Sequence, residues 1–256
     1  MNTLKVFTKK HQKKLASKKS QNKRWDFFSL LFIMPNMKLD SVGLLLSLRP
    51  MDEKNAVGVI FSRDHGIMSG VMRGALVAVK NKPLVGQVGN VSWNARLDSS
   101  LGVFHWEAEK NLGAAVMIKP RALACMNSAL DLILELLPER EKYEKLYDST
   151  FALLQKLGEK NESDEAYLDW EIDLLAHLGY ALDLRCCSGC GSVKDLFYLS
   201  PKTGRAVCAD CAAPYLDKVY SLPLGLNTTF RFLENICLQQ GAKMPRSRIF
   251  LNNKKI

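Results

Sequence analysis

Two closely spaced pairs of cysteines constrain the fold of this chain more than any other feature of its sequence. Cys187 and Cys190 form the first pair, and Cys208 and Cys211 form the second. Each pair can present two thiolates from one tight turn, so the two pairs together complete the tetrahedral four-sulfur site that Zn²⁺ prefers. Because all four ligands are cysteines, the site has no open position for a catalytic water. We therefore predict a structural zinc site.

The segment between the two pairs has the pattern of a short β-hairpin. Leu196–Leu199 and Arg205–Val207 are strand-like, and Pro201–Gly204 between them is typical of a turn. Gly189 allows the first cysteine turn to fold its backbone closely around the sulfur atoms. Two cysteine turns joined by a hairpin are the architecture of a zinc ribbon, which we place at residues 186–212.

The cysteine content also indicates the compartment. The chain has seven cysteines, an odd number that suits a disulfide framework poorly, and no convincing secretory signal precedes them. We expect reduced cysteines in the cytoplasm. Cys186 is interpreted as a spare beside the metal ligands, and Cys125 and Cys237 as core residues on apolar helical faces. No stretch approaches the roughly 20 consecutive apolar residues of a membrane helix, so no membrane partner is expected.

No motif in the sequence predicts covalent chemistry. A glycine-rich loop ending in Gly-Lys-Ser or Gly-Lys-Thr, which would indicate ATP hydrolysis, is absent. His105-Trp106-Glu107 matches the first half of a zinc deaminase signature. However, Cys186 stands where that signature has proline, and the second cysteine pair completes the metal site without His105. We therefore predict no catalytic residues and no enzymatic activity, and we interpret His105 as a strand residue.

The positive charge is unevenly distributed along the chain. The net charge is +10, and most of the excess lies in residues 1–36 and 186–256, on either side of an acidic segment at 120–185. Residues 1–36 are rich in lysine, and a like-charged run of this kind is typical of disorder. They are expected to be either a nucleic-acid-binding arm or a non-native N-terminal extension, and we favour the extension. The overall charge is therefore weaker evidence for a nucleic-acid partner than its location.

Residues 37–119 have the pattern of a small β-barrel. Short apolar runs with alternating patterning are broken by turn residues, and Asp64-His65-Gly66 predicts a tight turn between the second and third strands. An OB-type barrel is the leading interpretation, and an SH3-like barrel is the alternative. The predicted strands are Val42–Leu48, Ala56–Ser62, Ile67–Arg73, Val91–Leu97 and Val103–Glu109.

At residue 120 the hydrophobic period changes from that of strands to that of helices. Amphipathic helices are predicted at 120–137, 143–157 and 164–178, each closed by a proline or a glycine. We interpret residues 120–185 as a central helical bundle and residues 213–256 as a C-terminal helical segment. The predicted fold class is therefore α+β and multidomain, with the zinc ribbon inserted in the C-terminal helical region.

The order of these parts resembles the RecO family of DNA repair and recombination mediators. Similar local segments extend over residues 37–256, and the ribbon with its flanks is the most specific of them. The segments that carry the resemblance are Phe61–Gly66, Gly70–Ala75, Leu178–Tyr180, Asp183-Leu184, Cys187–Gly191, Ser200–Gly204, Cys208–Cys211 and Met244–Arg248.

The resemblance implies an OB-fold domain that binds single- and double-stranded DNA and anneals complementary strands. It also implies a bacterial, nucleoid-associated protein that works with RecR and the C-terminal tail of single-stranded-DNA-binding protein, and that indirectly helps to load RecA. An OB barrel holds single strands through a basic groove and aromatic stacking. Phe61, Trp93 and Trp106 are either stacking residues or barrel core. The candidate DNA-binding residues are Arg63, Arg73, Lys80, Lys82, Arg96, Arg246 and Arg248.

One segment departs from the family pattern. The family tends to place a basic cluster after Arg73-Gly74-Ala75, whereas this chain has Leu76-Val77-Ala78-Val79. This departure weakens the expected groove and shifts the expected binding toward the C-terminal basic region. Two other functions stay open at this point, namely an RNA- or ribosome-binding zinc-ribbon module and a zinc-dependent enzyme that modifies nucleic acids. The enzyme would need an open metal position, which a four-cysteine site lacks.

Overall fold

Five strands close into a barrel at the N-terminal end of the described chain. The structure is a computed structural model that describes residues 37–80, 82–95, 101–159 and 163–253. The strands are β1 (Met37–Pro50), β2 (Ala56–Ser62), β3 (Gly66–Met72), β4 (Gln87–Ala95) and β5 (Gly102–Asn111). Their order around the barrel is β1-β2-β3-β5-β4. The barrel closes because β1 pairs antiparallel with β4 and β3 pairs parallel with β5.

The β2–β3 hairpin turns where the sequence predicts it to turn. Ser62 pairs with Gly66, and the φ angle of Gly66 is +69°. A Cβ atom at this position would lie 1.9 Å from the carbonyl oxygen of Glu141, so only glycine lets the chain pass here. The neighbouring Glu139 forms a parallel bridge with Ile67 of β3. The hairpin is therefore a point at which the helical part of the molecule is docked onto the barrel.

The barrel has an apolar interior and a second apolar face that is covered by helices. In β1, Leu45 belongs to the interior core, whereas Leu44 and Leu46 belong to the core shared with the helices. This division follows from the alternation of side chains along a strand. The buried interior residues are Leu45, Ala56, Ile60, Met68, Met72, Ala75, Val91, Trp93, Ala95 and Phe104.

Seven α-helices follow the barrel in the described residues. The three helices predicted between residues 120 and 178 are confirmed, with shifts of one or two residues at their ends. The first helix was not predicted, because its five residues are too few to show a helical period. The helices are α1 (Leu112–Val116), α2 (Pro120–Leu136), α3 (Glu144–Glu159), α4 (Ser163–His177), α5 (Ala209–Ala212), α6 (Leu226–Gln240) and α7 (Arg246–Asn252).

The last two helices return to the central helices. Helix α7 packs against α2, and α6 packs against α4. Leu233 of α6 and Leu251 of α7 are fully buried in the same core as the central helices. The central and C-terminal helices therefore form one body, and the cysteine region is an excursion between them. Within the described residues, no helix has the length and apolar character needed to cross a membrane.

The cysteine region contains a small three-stranded sheet. Its strands β6 (Tyr198–Leu199), β7 (Ala206–Val207) and β8 (Tyr220–Ser221) lie in the order β7-β6-β8. The predicted hairpin is present, with Tyr198 opposite Val207. Strand β8 was not predicted, because two residues give no measurable alternation.

Two sequence predictions concern residues that lie outside the described ranges. These are the lysine-rich segment 1–36 and the candidate DNA-binding residue Arg96.

Candidate metal centre and nucleic-acid interface

The two cysteine pairs converge on one point. The Sγ atoms of Cys187, Cys190, Cys208 and Cys211 all lie within 4.8 Å of one another. Zinc–sulfur bonds of about 2.3 Å in a tetrahedron would place the sulfur atoms about 3.8 Å apart. The Sγ atoms of Cys190 and Cys208 are 3.6 Å apart, close to that value. These four residues can therefore hold a metal ion, as their spacing predicts.

The backbone of both turns supports the cluster. The amide groups of Gly189 and Cys208 each donate a hydrogen bond of 3.3 Å to the Sγ atom of Cys187. A Cβ atom on Gly189 would lie 3.0 Å from the Sγ atom of Cys211, so a larger residue would crowd the sulfur atoms. The turn is thus shaped for thiolates at this position.

The thiol pKa values indicate that the cluster needs a cation to ionise fully. Hydrogen bonds from the backbone, first of all from Cys208, lower the pKa of Cys187 to about 6. By contrast, hydrogen bonds among the thiols, first of all with Cys208, raise the pKa of Cys211 to about 12. Neighbouring thiols cannot all carry a negative charge without compensation. A bound divalent ion supplies that compensation, and four sulfur donors suit Zn²⁺ better than the hard cations.

The other three cysteines lie outside the cluster. Cys186 is half-buried, and its Sγ atom lies 4.0 Å from a guanidinium nitrogen of Arg205. Cys125 and Cys237 are buried in the helical core, which confirms the prediction made from their apolar faces. Burial raises the pKa of Cys125 to about 12, so this thiol is protonated and unreactive at neutral pH.

A cleft opens on the barrel where β3, β4 and β5 meet the loop after β3. Its volume is about 310 Å³, near the lower end of the range of about 300–1,000 Å³ for small-ligand pockets. The strands contribute polar and aromatic side chains, and the loop contributes small residues and Arg73. The lining residues are Met72, Arg73, Gly74, Ala75, Ala78, Pro83, Asn94, Val103, Phe104, His105 and Trp106.

Trp106 is the aromatic residue in the cleft that is not fully enclosed by the barrel. Its side chain is half-buried, and the indole nitrogen Nε1 is shielded from water without an acceptor in the described part of the chain. A buried donor without a partner costs about 1–3 kcal/mol. The indole is therefore a group that a bound molecule can stabilise.

One of the predicted DNA-binding residues lines this cleft, and two more lie on a loop that borders it. Arg73 lines it, and Lys80 and Lys82 lie on the loop that contributes Ala78 and Pro83 to the lining. All three basic residues are exposed, and within the described ranges their side chains form no ion pair. Arg73 therefore lies in the cleft, and Lys80 and Lys82 lie on the loop next to it.

Arg63 is placed differently from these three residues. Its guanidinium bridges two carboxylates of α3, with distances of 2.8 Å to Glu144 and 2.8 Å to Asp148. The hydrogen bond from Arg63 lowers the pKa of Asp148, so this carboxyl stays ionised. Arg63 therefore connects the barrel to α3 instead of presenting a free charge to solvent.

The two C-terminal arginines, Arg246 and Arg248, differ in burial. Arg246 is exposed at the start of α7. Arg248 is fully buried, and its guanidinium donates hydrogen bonds to the carboxylate of Glu171 and to the carbonyl oxygen of Leu226. The expectation that Arg248 contacts DNA is wrong for this structure, because a fully enclosed guanidinium cannot reach a phosphate.

Two of the three aromatic candidates are core residues. Trp93 is 0% exposed and donates its indole hydrogen to the carbonyl oxygen of Ser69. Phe61 is also 0% exposed and packs edge-on against Tyr147 of α3. Neither residue can stack on a base, and only Trp106 remains as a stacking candidate.

Sequence reasoning missed two polar residues of the cleft. Asn94 lies opposite Val103 in the β4–β5 ladder and lines the cleft together with His105. His105 was interpreted only as a strand residue; its side chain is exposed and lies 3.3 Å from the carboxylate of Glu107. The available signal was the polar alternation Ser92, Asn94 and His105 on paired strands.

Comparison with known proteins gives concordant matches. The family model described as "Recombination protein O C terminal" matches residues 119–249, which contain the central helices and the cysteine cluster. The chain is 39% identical over 209 residues to the DNA repair protein RecO of Dinoroseobacter shibae, covering 75% of this chain and 86% of the relative. It is 35% identical over 190 residues to the RecO protein of Rickettsia bellii, covering 73% and 77%, respectively. It is 33% identical over 230 residues to that of Rhodospirillum rubrum, covering 80% and 91%.

Proposed function

Because the chain belongs to the RecO family of DNA repair proteins, we propose that it is a recombination mediator that binds DNA and anneals complementary strands without covalent chemistry. The observation that carries this proposal is the cleft on the barrel with its basic residues, which form no ion pair within the residues that the structure describes. Exposed cations that have no carboxylate partner are free to replace the counterions of a phosphate backbone. Arg73, Lys80 and Lys82 are exposed and have no carboxylate partner among the described residues.

We assign residues 37–119 to an OB-fold domain. The supporting observation is the strand order β1-β2-β3-β5-β4 with a parallel β3–β5 pair. Barrels of this kind hold single strands by combining a positive surface with aromatic side chains that stack on bases. Trp106 is the aromatic residue positioned for that role.

We assign residues 186–212 to a zinc ribbon. Its ligands are Cys187, Cys190, Cys208 and Cys211, and the small sheet between and after the pairs supports this assignment. Four cysteine ligands leave no position for a water, so bound zinc would stabilise the fold of this region and supply no catalysis. The ribbon emerges from the helical body that we assign to residues 120–185 and 213–256.

Annealing follows from charge neutralisation. Two complementary strands repel each other through their phosphates, and basic side chains that replace the counterions lower this repulsion. Because the chain belongs to the RecO family, we also propose that it acts at the bacterial nucleoid. There it would work together with RecR and the C-terminal tail of single-stranded-DNA-binding protein. The outcome would be assistance to RecA at single-stranded gaps.

The proposed DNA binding is tested by fluorescence anisotropy with a labelled single strand over a series of salt concentrations. We expect the logarithm of the binding constant to fall linearly with the logarithm of the salt concentration, with a slope of about −0.7 per phosphate contacted. A folded, metal-loaded protein with no salt-sensitive binding to DNA would contradict the proposal. Much tighter binding to RNA of the same sequence would favour an RNA-binding module instead.

A further inference from the structure

The barrel cleft combines a basic mouth with an aromatic and polar wall. Arg73 supplies a guanidinium that is exposed to solvent, Trp106 supplies a half-buried indole, and Asn94 supplies an amide that can donate and accept hydrogen bonds. A flat aromatic surface, an amide and a cation are the groups that recognise a nucleobase and its neighbouring phosphate. Neither a purely apolar ligand nor a free anion would use all three groups.

The size of the cleft limits what can enter it. A volume of about 310 Å³ suits one small molecule or one residue of a polymer, whereas a double helix is far too wide. A duplex would have to unstack and unpair a base before that base could enter, which is unfavourable. The bases of a single strand need no unpairing.

We propose that this cleft takes one unstacked nucleobase of single-stranded DNA, with the base against Trp106 and the adjoining phosphate at Arg73. This inference rests on the proposed function and assigns it a specific subsite. It makes the barrel selective for single strands over duplexes, because the cleft is used by the single strand alone. The loop with Lys80 and Lys82 then follows the backbone outside the cleft.

Two further features of the site agree with this placement. The indole N–H of Trp106 has no acceptor among the described residues, so a movement of the ring that brings it to a nucleotide oxygen is favourable. His105, which also lines the cleft, lies beside the carboxylate of Glu107. That carboxylate would repel a phosphate, whereas the guanidinium of Arg73 would attract one.

Replacement of the indole is the direct test. Affinities of each variant for a labelled single strand and for the matching duplex are measured by anisotropy, with folding checked by circular dichroism. Trp106→Ala should weaken binding to the single strand by roughly 5- to 150-fold, the range expected for the loss of one stacked base, and change duplex binding little. Trp106→Phe keeps an aromatic face and should retain most of the affinity.

A cleft-filling variant keeps the test valid if Trp106→Ala does not fold. Ala78 lines the cleft, and its neighbour Val79 is 97% exposed and does not. Ala78→Phe should therefore weaken single-strand binding selectively, whereas Val79→Phe, which adds a ring at the adjacent position, should not.

The outcomes separate this inference from the proposed function. If the wild-type protein binds single strands and duplexes, but Ala78→Phe and Val79→Phe both bind like wild type, the cleft is not a base-binding site and the DNA-binding function stands. Equal weakening of single-strand and duplex binding by Trp106→Ala would also overturn the inference. If the wild-type protein binds no DNA at all, the proposed function itself fails.

Discussion

Glu171 of α4 and Arg248 of α7 form an ion pair in which both side chains are 0% exposed. The Nη2 atom of Arg248 lies 3.0 Å from Oε2 of Glu171 and also donates to the carbonyl oxygen of Leu226. The same carboxylate accepts hydrogen bonds from the hydroxyl groups of Tyr167 and Thr229. This network connects α4, α6 and α7, so it holds the C-terminal helix to the central body.

Removal of Arg248 should therefore destabilise the fold without acting on DNA directly. Breaking one side of a buried ion pair typically costs about 3–5 kcal/mol, because the remaining charge is left without a partner. We expect Arg248→Ala to lower the free energy of unfolding by about that amount in a urea titration. Arg246→Ala, on the exposed side of the same helix, should change it by no more than about 0.5 kcal/mol. Similar unfolding midpoints for the two variants would contradict the role of the buried pair.

Loss of a cluster cysteine should release the metal. Cys190→Ala and Cys208→Ala each remove one of the four sulfur ligands, and the binding free energy of a structural zinc is part of the folding free energy. We expect the zinc content measured by mass spectrometry to fall from about one per chain to near zero, together with a lower Tm. The adjacent variant Cys186→Ala is the matched control and should keep the metal. Full zinc content in Cys190→Ala or Cys208→Ala would show that the assignment of the ligands is wrong.

Acidification should weaken metal binding. In the metal-free protein the pKa of Cys187 is lowered to about 6, so this group contributes stability that is present above its unfolded pKa and is lost as the pH falls through about 6. The pKa of Cys211 is raised to about 12, so this thiol must lose a proton to bind a metal at neutral pH. A chelator competition should thus show tighter zinc binding at about pH 8 than at about pH 5.5, with proton release on binding. Affinity independent of pH would argue against thiolate ligands.

Arg63 and Arg73 should behave differently in DNA binding, although both flank β-strands of the barrel. Arg63 is paired with Glu144 and Asp148, whereas Arg73 lines the cleft without an ion pair in the described ranges. We expect Arg73→Ala to weaken binding and to reduce the magnitude of the salt slope for a single strand by about 0.7. Arg63→Ala should lower the Tm and leave the salt slope unchanged. The reverse pattern would move the DNA contact from the cleft to the β2–β3 turn.

Local patterns predicted most of the fold. The β2–β3 hairpin and the helices between residues 120 and 178 follow from alternation, helical period and turn residues, all of which are encoded within a few positions. The cysteine cluster was predictable for the same reason, because each pair is local and its chemistry is specific. Very short elements such as β8 lack such a pattern.

The environment of each charged residue was not predictable from local sequence. Arg246 and Arg248 belong to one short basic motif, yet positions two apart lie on nearly opposite faces of a helix. Arg248 is buried where it pairs with Glu171, which lies 77 residues away in the sequence, so no local pattern reveals this environment. Likewise, the partner Asp148 of Arg63 is 85 residues away in sequence. The burial of the barrel aromatics was unpredictable for the same reason. Alternation along a strand does not show which face points into the barrel or which face the helices cover, and these contacts bury Trp93 and Phe61.

The decisive experiment for the proposed strand-annealing function measures annealing of complementary DNA strands that are coated with single-stranded-DNA-binding protein, without ATP. We expect the metal-loaded protein to accelerate annealing and rising salt to suppress the effect. A variant with Arg73, Lys80 and Lys82 all changed to alanine should be slower. Absence of acceleration by a wild-type protein that retains zinc and melts cooperatively would contradict the assignment as a strand-annealing mediator.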